Sequence, residues 1–183
     1  MNIIYYEIKK LMKYRLLGKS GLRVSELALG TMTFGEEWGT MGANKSESKK
    51  IFDAYVNAGG NFIDTANRYH EGTSEKFTGD FISSARDSFV LATKYTLINP
   101  GRKDDVLSSG NSRKNMVYSL EKSLKRLKTD YIDLYWVHAW DFMTPVEEVM
   151  RALDDMVKAG KILYIGISDT PAWIVSQANT LAE

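Results

Sequence analysis

The chain has 183 residues, 44% hydrophobic and 26% charged, an ordinary globular composition with enough apolar material for a sizeable core. Its 24 basic and 23 acidic residues leave a formal net charge of +1, so no overall field draws it to nucleic acid or to an anionic membrane. Cysteine is absent, which excludes disulfides, thiolate nucleophiles and cysteine-held metals.

No apolar run approaches the roughly 20 residues that span a bilayer. The stretch Ile3–Tyr6 is far shorter than a signal-peptide core of about 7–15 residues, so the expected compartment is the cytoplasm. Tyr14–Leu17 and Leu22–Val24, joined by Gly18-Lys19-Ser20-Gly21, predict a short hairpin. An apolar strand over Leu27–Leu29 ends at Gly30 and runs into a glycine-rich, aromatic loop through Phe34, Trp38 and Gly42. A helix capped by Ser46 is expected to reach about Asn57, burying Ile51, Phe52, Tyr55 and Val56, with Gly59-Gly60 as its stop. Phe62–Asp64 is the second strand, and the helix after it, Ser74 to about Ala85, is weakened by Gly79. Phe89–Thr93 is the third strand, followed by a long polar loop over Thr96–Asn111. Met116, Leu120, Leu124 and Leu127 recur at helical spacing, so Ser112–Leu127 is a strong amphipathic helix, with Lys122, Lys125, Arg126 and Lys128 on its solvated face. Tyr131–Val137 is the fourth strand. Thr144 is expected to cap the next helix, with Pro145 at its first position. Ile162–Ile167 is the fifth strand, and Pro171 opens a last helix.

The strand runs recur every 30–40 residues or so, as βαβ units require, and are apolar on both faces, as helix-covered parallel strands should be. The fold class is therefore α/β, a parallel (β/α)8 TIM-barrel type reduced to about five βα units behind an N-terminal hairpin. Eight units and about 250 residues make a closed barrel, so the chain reads as a fragment. Residues 1–12 form an N-terminal extension, disordered or a misassigned start, and 13–183 an incomplete barrel. A doubly wound open sheet is the alternative, but LALGTMTFG does not fit a G-x-G-x-x-G fingerprint. In an open half-barrel the first and fifth strands would present unpaired edges, an invitation to self-association.

Several motifs fail. Gly18-Lys19-Ser20 resembles the end of a phosphate-binding loop, but Lys13 stands where its first glycine belongs. Thr170 replaces the closing glycine of a nucleophile elbow at Gly166–Asp169. His70 and His138 lack metal-ligand neighbours, so no metal is expected, and His70 reads as loop surface.

One constellation holds. Asp64, Tyr69, Lys94 and His138 each lie at or just beyond the C-terminal end of a strand, where a (β/α) barrel keeps its chemistry. Singly, an Asp after a strand is a turn cap, a Tyr is packing, a Lys snorkels and a His bonds a backbone carbonyl. Together they make a proton-donating site for a carbonyl oxygen. A phenol with the ordinary pKa of about 10 is a poor acid at neutral pH, and a neighbouring ammonium favours its phenolate. Asp64 would pair with Lys94 and orient it. A neutral His138 would donate a hydrogen bond to the substrate oxygen, and hydride would have to come from a cofactor. The loop aromatics Phe34, Trp38 and Trp140 are candidates to shape substrate specificity, or equally to pack.

The stretches GKSGLRVSELALGTMTFG, FIDTANRYHEGTSE, LATKY, SRKNMVYSLEKSLKRLKTDYIDLYWVH and KAGKILYIGIS resemble the N-terminal portion of an aldo-keto reductase, most nearly the aryl-alcohol-dehydrogenase-like branch, which also resembles potassium-channel β-subunits. The resemblance implies NADPH-dependent reduction of small-molecule aldehydes and ketones, with NADH the alternative cofactor. It implies Tyr69 as the acid, completed by Asp64, Lys94 and His138. It also implies Gly30, Thr31 and Met32 beside the nicotinamide, along with Asp64, and Ser168 and Asp169 at its carboxamide; Asp169 stands where many members have Asn. The family's later strands carry further cofactor contacts, so this chain is expected to bind cofactor weakly and to show little activity alone. A non-catalytic regulatory subunit of the channel type is the second reading.

Overall fold

A computed structural model describes residues 12–183. Most of the expected N-terminal extension, residues 1–11, lies outside the described residues. The hairpin pairs β1 (Tyr14–Leu16) antiparallel with β2 (Arg23–Ser25). It is fastened to the start of the main sheet by the Asn61 side chain, whose oxygen accepts from Ser25 N–H (2.7 Å) and whose amide donates to the Arg23 carbonyl (3.1 Å).

The main sheet has five parallel strands in chain order: β3 (Leu29–Gly30), β4 (Phe62–Asp64), β5 (Val90–Tyr95), β6 (Ile132–Val137) and β7 (Ile162–Ile167). A doubly wound sheet would reverse its order at a switch point; this one does not. The helices α1 (Lys45–Asn57), α2 (Thr73–Ile82), α3 (Arg113–Leu127), α4 (Val146–Lys158) and α5 (Ala172–Ala182) alternate with the strands. Phe52, Ile82, Leu120, Val149 and Ile174, one from each helix, join Ile63, Leu91, Tyr135 and Val137 in a single core. That is the order and layering of a (β/α) barrel, here with β3 and β7 as open edges among the described residues. No helix among those residues is long and apolar enough to cross a membrane.

Local chemistry explains where the elements differ from expectation. The cap of α1 is Asn44, whose side chain accepts from Glu47 N–H (3.0 Å), so the helix starts before Ser46. Of its expected inner face, Phe52 is buried and Tyr55 and Val56 partly so, but Ile51 is exposed. Thr144 caps nothing. Pro145 holds the cap position of α4, and the Thr144 hydroxyl donates to Asp141 Oδ2 (2.7 Å). Gly79 is a packing point rather than a flaw: a Cβ there would lie 2.7 Å from the Leu127 backbone, so the glycine lets α2 meet the end of α3. Arg126 is not solvated either. Its Nε donates to Glu75 (2.5 Å), a fully buried carboxylate that also accepts from the Thr93 hydroxyl (2.6 Å).

Candidate active site

Parallel pairing aligns the C-terminal strand ends side by side. Gly30 on β3 is level with Asp64 at the end of β4, and Lys94 on β5 is level with Trp136 on β6 and Gly166 on β7. His138 follows β6 directly, and its N–H donates to the Tyr95 carbonyl (3.2 Å). Ser168 follows β7 in the same way, bonded to the Val137 carbonyl (2.9 Å). Tyr69 opens the turn after β4, its N–H on the Ala66 carbonyl (3.2 Å). The ladder thus delivers four side chains to one mouth.

Lys94 is the hub. Its buried ammonium donates to Asp64 Oδ2, to the Thr65 carbonyl (2.8 Å) and to the Tyr69 hydroxyl (3.4 Å). These contacts use all of its donors. The Tyr69 ring stands edge-on to His138, centroids 5.9 Å apart and planes at 85°. Burial, and then the charge of Lys94, push the His138 pKa from 6.5 down to about 4, so the imidazole is neutral at pH 7. Its Nδ1 is buried with no hydrogen-bond partner among the described residues. Burial raises the Asp64 carboxyl above its ordinary value, outweighing the opposing pull of Lys94 and a smaller one from the Trp136 indole.

The cofactor-binding candidates divide. Gly30 is exposed, and a Cβ there would meet nothing within 4 Å. Met32 is exposed, Ser168 half-buried, and Asp169 exposed with a left-handed backbone (φ 40°) that Asp and Asn tolerate better than most residues. Thr31 is buried, its hydroxyl shared with Ser74 Oγ (2.8 Å), its N–H on the Asp64 carbonyl (2.9 Å) and its carbonyl accepting from the Ser74 hydroxyl (2.7 Å) and Phe34 N–H (3.0 Å), so its polar groups are already engaged within the fold. The open ledge at Gly30, level with Asp64, has room for a flat, polar-edged ring lying across the strand ends.

The three aromatics also divide. Phe34 is buried edge-on against Phe81 (6.2 Å), and Trp140 belongs to the core, so both pack. Of the three, Trp38 stands beside Tyr69, ring centroids 6.3 Å apart and planes at 80°. His70 is not on the surface. It is fully buried, stacked on Trp38 at 4.6 Å. Trp136 is a site neighbour that the sequence reading passed over. Its ring lies over Gly166, where a Cβ would be 2.2 Å from it, and its Nε1 is buried with no hydrogen-bond partner among the described residues. The one signal for it is its place near the end of β6, two residues before His138.

The sequence model described as the aldo/keto reductase family matches residues 26–183. The chain belongs to the aldo/keto reductase family. It is 46% identical to an aryl-alcohol dehydrogenase [NADP(+)] of Phanerodontia chrysosporium, over 94% of this chain and 48% of that protein. It is 47% identical to a norsolorinic acid reductase of Aspergillus flavus, over 92% of this chain and 46% of the relative. A putative aryl-alcohol dehydrogenase of Saccharomyces cerevisiae is 43% identical, over 93% and 48%. The chain spans about half the length of the curated relatives it matches.

Proposed function

We propose that this chain carries the acid–base site of an NADPH-dependent reductase that converts aldehydes and ketones to alcohols, with Tyr69 as proton donor. The observation that carries the reading is the Lys94 ammonium, shared between the Asp64 carboxylate and the Tyr69 hydroxyl. A substrate carbonyl oxygen at the mouth would accept from the Tyr69 O–H and from the neutral His138 imidazole. As its proton leaves, the Tyr69 oxygen gains negative charge, which the adjacent ammonium stabilises. Asp64 holds that ammonium in place. Gly30, Met32, Ser168 and Asp169 would hold the nicotinamide, with Asp64 level with Gly30 on the neighbouring strand. Reduced nicotinamide, when bound, supplies the hydride. The name of the Phanerodontia relative favours NADP over NAD, and the names of the two aryl-alcohol dehydrogenases favour aromatic substrates. The complete set of four polar side chains favours catalysis over a purely regulatory role.

The test is Tyr69→Phe made in a chain extended to the full length of its relatives and assayed as NADPH oxidation with an aromatic aldehyde. Loss of a general acid should lower the rate roughly 10²–10⁴-fold, with NADPH binding by fluorescence unchanged. A Tyr69→Phe protein as fast as its parent sinks the assignment.

A further inference from the structure

The loop after β3 is closed on itself. Ala43 N–H donates to the Thr33 carbonyl (2.8 Å), and Gly35 N–H to the Ala43 carbonyl (2.9 Å). The His70 imidazole sits inside that closed loop. A Cβ at Gly35 would lie 2.4 Å from the His70 Cβ, and one at Gly42 would lie 1.9 Å from the Gly35 carbonyl oxygen and 2.7 Å from His70 Cε1, so neither position has room for a side chain with the loop closed on the ring. Trp38 covers one face of the imidazole, 4.6 Å away with planes at 28°, and its backbone N–H donates to His70 Nδ1 (3.3 Å). An N–H can only donate, so Nδ1 is the acceptor in this contact. His70 reaches this place through a strained backbone: it and Glu71 are both left-handed (φ 46° and 54°), followed by Gly72 at φ 87°. Side chains other than glycine adopt that conformation at a cost, and two in succession mark a segment held by its surroundings.

His70 directly follows Tyr69, and Trp38 touches both, so a constraint on the imidazole is also a constraint between the loop and the acid. We propose that His70 is a positioning residue: by filling the Thr33–Ala43 loop it holds the Trp38 indole edge-on to the Tyr69 phenol, which makes the loop a fixed aromatic wall of the site rather than a mobile flap. The inference rests on the reading of Tyr69 as the acid, but its test needs no turnover and therefore fails or succeeds separately.

The informative variant is His70→Asn, because Asn tolerates the left-handed backbone while removing the ring. In the 183-residue chain, amide exchange at positions 35–43 should quicken about tenfold or more, with α3 amides unchanged. The nuclear Overhauser contact between the Trp38 and Tyr69 rings should vanish. His70→Phe, which restores a ring of similar size, should recover most of that contact. Unchanged loop protection and ring contact in His70→Asn would overturn the proposal. So would equal loss of protection in the loop and in α3, since His70 would then serve overall stability alone.

Discussion

At the scale of single residues, the site carries its own pH dependence. The His138 imidazole takes a proton near 6.5 in an unfolded chain but only near 4 in the folded one, because burial and Lys94 oppose its charge. Between those values the unfolded state binds more protons, so stability falls as pH drops through that window. Urea melts of His138→Gln between about pH 7 and 4.5 should show a shallower acid slope than the parent; an unchanged slope would mean the ring is solvated. Asp64 works in the opposite sense. Its folded pKa lies above the ordinary 3.8, so its contribution favours the folded state at low pH and is lost as pH rises through the folded value. The pair with Lys94 thus adds no stability that grows with pH. Removing one partner should still harm. Asp64→Asn strands a buried ammonium and should cost about 2–4 kcal/mol, whereas Asp64→Asn combined with Lys94→Met should recover at least half of that. Additive losses in the double variant would refute the coupling.

At the scale of elements, competing effects can be decided by magnitude. Ala at position 79 would gain about 1 kcal/mol of helix propensity over Gly. It would also drive a Cβ to 2.7 Å from three Leu127 backbone atoms, and backbone cannot swing aside as a side chain can. Overpacking of that kind costs about 1–3 kcal/mol, so Gly79→Ala should lower stability, read as a lower urea midpoint with an unchanged slope. A rise in midpoint would show that α2 slides freely over α3. The same position shows what a sequence can disclose. Helical spacing announced Met116, Leu120, Leu124 and Leu127, because a core face is periodic. Gly79 looked like a weakness, because its partner is 48 residues away and periodicity is local. Asp64, Lys94 and His138 were legible as polar residues ending apolar runs. His70 was not, since nothing in Tyr69-His70-Glu71-Gly72 tells of a distant loop with two glycines spaced to admit a ring. Arg126 was misread for a related reason: its buried partner Glu75 belongs to another helix.

At the scale of the whole molecule, the open edges dominate. Strand β3 offers two residues, too few to recruit a partner strand, but β7 is six residues long and, among the described residues, paired only on its β6 side. Within it Leu163 and Ile165 are 45% and 36% exposed, and they border a groove of about 620 Å³ walled by Met150 and Val157 of α4 and Leu181 of α5. A long, unpaired, apolar edge is the surface that other chains usually find. The 183-residue chain should therefore associate through β7, with a mass by light scattering that rises with concentration. Charge on such an edge is the device natural sheets use to stay apart, because pairing would desolvate it. Leu163→Lys should bring the mass back toward that of a monomer without changing the ring contacts around Tyr69, which lie at the strand ends rather than on this face. A monomer at every concentration would show that β7 is already protected, and a Leu163→Lys chain that still associates would move the interface elsewhere.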